Sequence, residues 1–326
     1  MHILVCGGAG YIGSHMVLLL LEQGHDVTVF DNLSTGHRDA VLGGRFEQGD
    51  LADSAALDRV LGSSAFDAVM HFAAFIRVEE SVADPGKYFR NNFCNTLNLL
   101  DAMVRHGVLR FIFSSTAAVY GEPKYVPVDE KHPREPINPY GASKRMVEDA
   151  LFDYSSAHRL QSVPLRYFNA AAADPQARLG PRHDPLTHLI PLVLRAAAGV
   201  NPNIKVFGRD YPTPDGTAIR DYIHVSDLCQ AHLAAIEYLK NGGTTQAFNL
   251  GVGRGYSVQE VVDAVRRVTG REFEVITEKR RPGDPAHLIA DPSLANRVLG
   301  WKARHGDIDT IIAHAWAWQL KTMERP

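Results

Sequence analysis

Ile3-Leu4-Val5-Cys6-Gly7-Gly8-Ala9-Gly10-Tyr11-Ile12-Gly13 decides the fold. The apolar residues in front suit a short strand buried on both faces. After the glycines, Ile12, Met16, Leu19 and Leu20 recur on one side of a helix. Between the two elements Gly7, Gly10 and Gly13 make G-x-x-G-x-x-G, a variant of G-x-G-x-x-G with Gly8 as a further permissive position. Such glycines permit a tight turn and let a pyrophosphate approach the backbone at a helix N-terminus. Taken alone, the loop also reads as a glycine-rich turn that binds nothing.

Residues 26–30 form the next strand, and Asp31 ends it, 18 residues after Gly13. An acid at that place bonds an adenosine ribose hydroxyl and repels a 2′-phosphate, so the expected cofactor is NAD rather than NADP. The plainer alternative is a turn or cap acid before Asn32. Asp50 and Leu51 follow the third strand, where they flank an adenine or merely turn the chain. Further strands are expected at 68–72, 111–114 and 163–168, with helices at 88–106 and 140–158. This alternation implies an α/β fold with a Rossmann-like, doubly wound parallel sheet.

Beyond residue 168 the rhythm breaks, and Pro and Gly crowd the stretch from Pro175 to Asp215. Helices are expected at 186–198, 226–239, 258–269 and 308–322. The division is therefore a dinucleotide domain over 1–168 and a smaller C-terminal α/β substrate lobe over 169–326. The short run Ala247-Phe248-Asn249-Leu250 is placed to return to the first sheet.

A chain of 326 residues is long for one core, which agrees with two lobes. Its formal charge of -3 leaves no basic footprint for nucleic acid. Cys6, Cys94 and Cys229 form neither a disulfide framework nor a metal-ligand spacing, and no metal is expected. Few cysteines fit a reducing compartment. Residues 1–6 show no leader pattern, and no apolar run approaches the ~20 residues of a membrane span. The expected place is the cytoplasm, with no membrane partner.

Tyr140 and Lys144 stand four residues apart where a helix begins, on one face and with bases ~6 Å apart. A nearby cation favours a phenolate and lowers a tyrosine pKa from about 10. Such a tyrosine accepts a proton from an alcohol near neutral pH. Beside a nicotinamide, that means hydride chemistry at a carbinol carbon.

With these pieces in place the chain resembles the extended short-chain dehydrogenase/reductases, and among them the UDP-glucose 4-epimerases. The first-half markers are the glycine loop, Asp31-Asn32-Leu33, His71-Phe72-Ala73-Ala74, Phe113-Ser114-Ser115-Thr116, Tyr140-Gly141-Ala142-Ser143-Lys144 and Leu165-Arg166-Tyr167-Phe168-Asn169. Residues 207–225, from Phe207-Gly208-Arg209 to Ile223-His224-Val225, are more specific to the 4-epimerases.

The resemblance implies that UDP-galactose and UDP-glucose interconvert through a 4-keto sugar, with hydride held on NAD. It implies that Tyr140 takes the 4-hydroxyl proton, that Lys144 tunes it and holds the nicotinamide ribose, and that Thr116 bonds the 4-oxygen. Tyr11, Ile12, Phe72, Ala73, Ala74, Asn91 and Phe168 join the cofactor site. Where some relatives carry a lysine, this chain has Ile76, and that contact has no counterpart. Arg220 and Arg281 match pyrophosphate arginines, Asn169 meets the diphosphate, and Asp284 meets the uridine ribose. His188, Leu189, Val206 and Phe207 line the uracil pocket. Leu288 stands where some relatives place tyrosine, which leaves room for a 2-acetamido group. A homodimer through the helices at 88–106 and 140–158 is also implied, although their apolar stripes equally pack on the parent sheet.

Two rival classes remain. A 4,6-dehydratase carries acids directly after the Ser/Thr, where this chain has Ala117 and Ala118; a decarboxylase or an epimerase acting on a uronic acid is harder to separate by motif. A noncatalytic NAD-sensing protein shares the fold but commonly lacks the Tyr–Lys pair.

Overall fold

The computed structural model describes residues 1–281 and 283–324. In the first half the strands are β1 (His2–Cys6), β2 (Asp26–Asp31), β3 (Arg45–Gln48), β4 (Ala68–His71), β5 (Arg110–Thr116) and β6 (Gln161–Tyr167). The second half adds β7 (Asn169–Ala171), β8 (Asn203–Phe207), β9 (Ile219–His224), β10 (Phe248–Leu250), β11 (Gly255–Ser257), β12 (Glu274–Glu278) and β13 (His287–Leu288). The helices are α1 (Tyr11–Glu22), α2 (Ser54–Gly62), α3 (Val78–Ala83), α4 (Pro85–Tyr88), α5 (Asn95–Arg105), α6 (Pro139–His158), α7 (Leu189–Ala197), α8 (Val225–Lys240), α9 (Val258–Thr269), α10 (Ser293–Val298) and α11 (Ile308–Met323).

The main sheet runs β10-β6-β5-β4-β1-β2-β3, and every neighbour is parallel. The order reverses between β1 and β4, which opens a crevice at the carboxyl ends of those strands. Parallel strands covered on both faces need apolar side chains in both directions. Ile3, Leu4, Val5 and Cys6 are accordingly all buried. Ile3 and Val5 join Met16, Val17, Met70 and Val163 in one core. Leu4 and Cys6 join Leu57, Val69, Leu99, Phe113 and Leu151 in the other. Each such side chain contributes about 1.5–3 kcal/mol by leaving water.

The run expected to return to the first sheet does so as β10, with Phe248 opposite Leu165 and Leu250 opposite Tyr167. Helix α8 packs beside α1 on the same face. In the second half β9 carries β7, β11 and β13, while β8 pairs with β12. Helices α7, α9 and α11 close a separate core around Val193, Val261, Val265 and Ile311.

Two expected helices change. The segment at 88–106 is not one regular helix: α4 passes through a π-helical stretch, Phe89–Cys94, before α5. There Asn92 turns inward to accept from Phe75 N at 2.9 Å and donate to Phe75 O at 3.0 Å. The helix at 186–198 shortens to Leu189–Ala197, because His188 takes an extended backbone as its N-cap.

Candidate active site

The glycine loop is as tight as its sequence requires. Gly7 has φ +77°, and a Cβ there would lie 2.5 Å from Ala73 N. A Cβ on Gly13 would lie 2.1 Å from Gly7 O. Helix α1 starts after Gly10 with no side-chain cap and no acid in its first turn. Its opening N–H groups thus meet an incoming anion without a competing carboxylate. Asp31 ends β2, where Oδ2 accepts from Ala9 N at 2.9 Å and Oδ1 from Leu33 N at 2.8 Å. The turn-acid alternative is therefore also realised: the carboxylate ties the glycine loop to β2. Asn32 donates to Asp50 at 2.7 Å.

One crevice gathers Gly7, Gly10, Asp31, Asn32, Asp50 and Leu51 with Phe72, Ala73, Ala74 and Asn91. Ser34, Thr35 and Gly36 line it too, although the sequence reading passed over them. An uncapped helix start, a backbone too close for any Cβ and an acid at the strand end fit a dinucleotide. Ile12 packs against the core beside the loop. Tyr11 turns away from this crevice; its hydroxyl donates to Ala172 O at 2.7 Å and its ring stands in a second cavity.

Asn138 and Pro139 set the start of α6. Asn138 caps Gly141 N at 2.8 Å, and proline's fixed φ suits the first helical position. That puts Tyr140 in the first turn, where its hydroxyl faces the Thr116 side chain. Thr116 ends β5 and also accepts from Ala118 N at 3.1 Å. Burial raises the Tyr140 pKa, and the neighbouring Thr116 hydroxyl pulls the other way.

The expected net lowering below the usual value is not met, because burial dominates. Lys144 is itself buried; its Nζ donates to Ser114 O at 2.8 Å and lies 4.7 Å from the Phe113 ring centre. Burial pulls Lys144 down to about 7, opposed by Glu148. A half-charged lysine turned toward a carbonyl does not outweigh the desolvation of the phenol. Phe168 and Leu288 pack on a small cluster of Val119, Tyr120 and Val128.

The second cavity, about 520 Å³, is walled mostly by the second half, with Tyr11 and residues 76–79 on its first-half side, and holds Asn169, His188, Leu189, Val206, Phe207, Arg220, Arg281 and Asp284. Arg220 and Asp284, expected to meet different parts of a ligand, form an ion pair with each other. Arg281 lies 4.0 Å from the Phe207 ring centre and 3.9 Å from Glu79. Asn169 donates to Asp221 O at 3.0 Å. Ile76 borders the same cavity and is exposed.

His183 was not singled out in the sequence, yet its Nε2 lies 3.2 Å from His188 Nδ1 in this wall. Burial pulls both imidazoles down, His188 to about 4, which disfavours their charged forms. No sequence spacing marks such a pair. Among the described residues no helix is long and apolar enough to cross a membrane, and no cluster of three His, Cys, Asp or Glu could hold a metal.

The model of the NAD dependent epimerase/dehydratase family matches residues 3–251. The chain is 50% identical over 320 residues to UDP-glucose 4-epimerase of Rhizobium leguminosarum bv. trifolii, covering 98% of each. Its structure resembles that of UDP-glucose 4-epimerase from Brucella ovis in complex with NAD, with TM-score 0.95, 50% identity and 97% of each chain covered. It also resembles the UDP-Glc/GlcNAc 4-epimerase of Campylobacter jejuni, with TM-score 0.86 and 43% identity over 98% of this chain and 99% of that one. With a glycine loop and an acid built for a dinucleotide, a Tyr–Thr pair one turn from a buried lysine, and relatives matched from end to end, the chain belongs to the NAD dependent epimerase/dehydratase family.

Proposed function

We propose that the chain is an NAD-dependent isomerase that interconverts UDP-galactose and UDP-glucose by inverting C4 through a transient 4-keto sugar. The observation that carries the reading is the Tyr140 hydroxyl set beside Thr116 at the end of β5, one helical turn from the buried Lys144. NAD, when bound, supplies the acceptor and then the donor of the C4 hydride and ends unchanged.

The residues of the chain do the rest. Tyr140 accepts the 4-hydroxyl proton and returns it to the new alcohol. Thr116 holds the 4-oxygen, and the charged form of Lys144 favours the phenolate. Gly7, Gly10, Gly13 and Asp31 hold the dinucleotide. Arg220 and Arg281 take the diphosphate, with Asn169 beside them. To do so Arg220 exchanges the Asp284 carboxylate for phosphate oxygens, which releases Asp284 for the uridine ribose. His188, Leu189, Val206 and Phe207 enclose the uracil.

Leucine at 288 and the 43% identical UDP-Glc/GlcNAc 4-epimerase support a wider range that includes UDP-N-acetylhexosamines. A homodimer is supported by Met146 and Phe152, which lie exposed on α6. The cytoplasm is supported by three free cysteines. The test is incubation with UDP-galactose and, side by side, UDP-glucuronate, without added NAD. UDP-glucose is the expected product. Conversion of the uronate alone overturns the reading.

A further inference from the structure

Glu148 is fully buried on α6, one turn beyond Lys144 as Lys144 is one turn beyond Tyr140. A carboxylate taken out of water must be compensated. Arg166 of β6 grips it, with Nε at 3.0 and 3.2 Å from its two oxygens and Nη2 at 2.7 Å. Arg134 adds a bond at 3.1 Å, and Ser115 Oγ donates to the same carboxylate. Ser115 lies between Ser114, whose carbonyl receives Lys144, and Thr116.

The network continues outward. Arg166 Nη1 donates to Tyr120 Oη at 2.7 Å, and Tyr120 donates to Asn249 at 2.6 Å. One set of bonds thus ties α6 to β5, β6 and β10. Lys144 bonds Ser114 O and stands over the Phe113 ring of β5, feels the charge of Glu148 one turn along its own helix and acts on His71 of β4, while Tyr140 precedes it by one turn. Tyr167 of β6 stands behind Ser114, bonded to its hydroxyl at 2.9 Å, with His232 of α8 bonded to Tyr167 in turn. Among these groups Glu148 alone is an acid, and nothing in the reaction as described uses it.

We propose that Glu148 is a positioning residue: gripped by Arg166 and Ser115, its carboxylate fixes α6 against the end of β5 and holds Lys144 in the charged form that Tyr140 needs. The proposal rests on the epimerase reading for its kinetic consequence, but the state of Lys144 is measurable without it.

The variants are Glu148→Gln and the double Glu148→Gln/Arg166→Gln. The single variant strands a buried guanidinium and loses stability; the double removes both charges and recovers packing. The readouts are the 15Nζ titration of Lys144 by NMR in the NAD-loaded protein and the pH profile of kcat on UDP-galactose. Removing the carboxylate disfavours the ammonium, so Lys144 loses its proton at lower pH. The single variant should titrate lower by about one pH unit or more, and the alkaline limb of kcat should move down with it; the double variant, which also loses the Arg166 cation, should shift less.

At pH 8 kcat should fall about tenfold or more, while KM stays within about threefold. Should Lys144 in the NAD-loaded single variant titrate within about 0.3 pH unit of the parent, or the double variant shift it as far as the single, the proposal is overturned and Glu148 merely packs. Should the parent fail to convert UDP-galactose, the epimerase reading falls, and the NMR titration alone decides the role of Glu148.

Discussion

Removing the Asp31 carboxylate should damage the protein before any cofactor is considered. In Asp31→Ala the buried N–H of Ala9 loses its acceptor at 2.9 Å, and Leu33 N loses its acceptor at 2.8 Å. A buried donor left unpaired costs about 1–3 kcal/mol. Leu33 adds to this, because it holds φ 61°, a left-handed backbone that leucine adopts only when fixed. The loss of its bond costs about 0.5–1.5 kcal/mol, so the total is about 1.5–4.5 kcal/mol. Asp31→Asn keeps one acceptor oxygen and should lose about half of that.

The assay is urea unfolding of the cofactor-free protein, followed by calorimetric titration with NAD and NADP. We expect Asp31→Ala to be destabilised as stated, to bind NAD at least about tenfold more weakly and to discriminate less against NADP. Stability within about 0.5 kcal/mol of the parent together with unchanged NAD affinity would refute the assignment. Tighter NADP than NAD binding by the unmutated protein would refute the selectivity argument.

Other outcomes are equally definite. Tyr140→Phe should lower turnover ~10²–10⁴-fold while the melting temperature and NAD affinity hold; turnover within about twofold of the parent rejects Tyr140 as the base. Stability should fall on acidification below pH ~6.5, because burial pulls His15, His71, His224 and His232 down to about 4, 3, 3 and 4, and the unfolded chain then binds protons that the fold excludes. His188, also pulled to about 4, adds to this, while Asp221, pushed up to about 6 by burial, works in the opposite sense down to its unfolded 3.8, leaving at most about 5 kcal/mol per pH unit; equal urea midpoints at pH 6 and pH 5 would contradict this. Leu288→Tyr should cut kcat/KM for UDP-N-acetylglucosamine about tenfold more than for UDP-glucose, a difference of ~1.4 kcal/mol, and a parent inactive on the acetamido sugar shows that another group closes the pocket.

The first half of the fold was legible because each signal there is local. β1, the glycine loop and α1 are contiguous, and glycine is the only residue that fits between Gly7 O and α1 at position 13. Helix α9 keeps its expected bounds because Ser257 and Glu260 form a capping box and Gly270 closes it at φ +63°. In the second half the strands other than β10 are hidden. β9 carries Asp221 inward, where it accepts from Val252 N, Gly253 N and Ala290 N, so its sequence shows no apolar run. The π-helical stretch escaped notice because its cause, Asn92 reaching Phe75, lies between segments distant in sequence. The Tyr140–Lys144 spacing was read correctly as a shared face but not as electrostatics, because burial, which spacing cannot report, dominates both groups. Arg220 and Asp284 were each found by motif, but their pairing depends on how β9 meets the chain before β13.

The central claim is that the C4 hydride leaves and returns within one site. The direct measurement is incubation of UDP-galactose deuterated at C4 with the purified protein in ordinary water, without added NAD, followed by mass spectrometry of the UDP-glucose formed. The account predicts UDP-glucose that keeps the deuterium at C4. Product with hydrogen at C4 would mean exchange with solvent and a proton-abstraction route, and would contradict it; so would the absence of UDP-glucose from NAD-loaded protein.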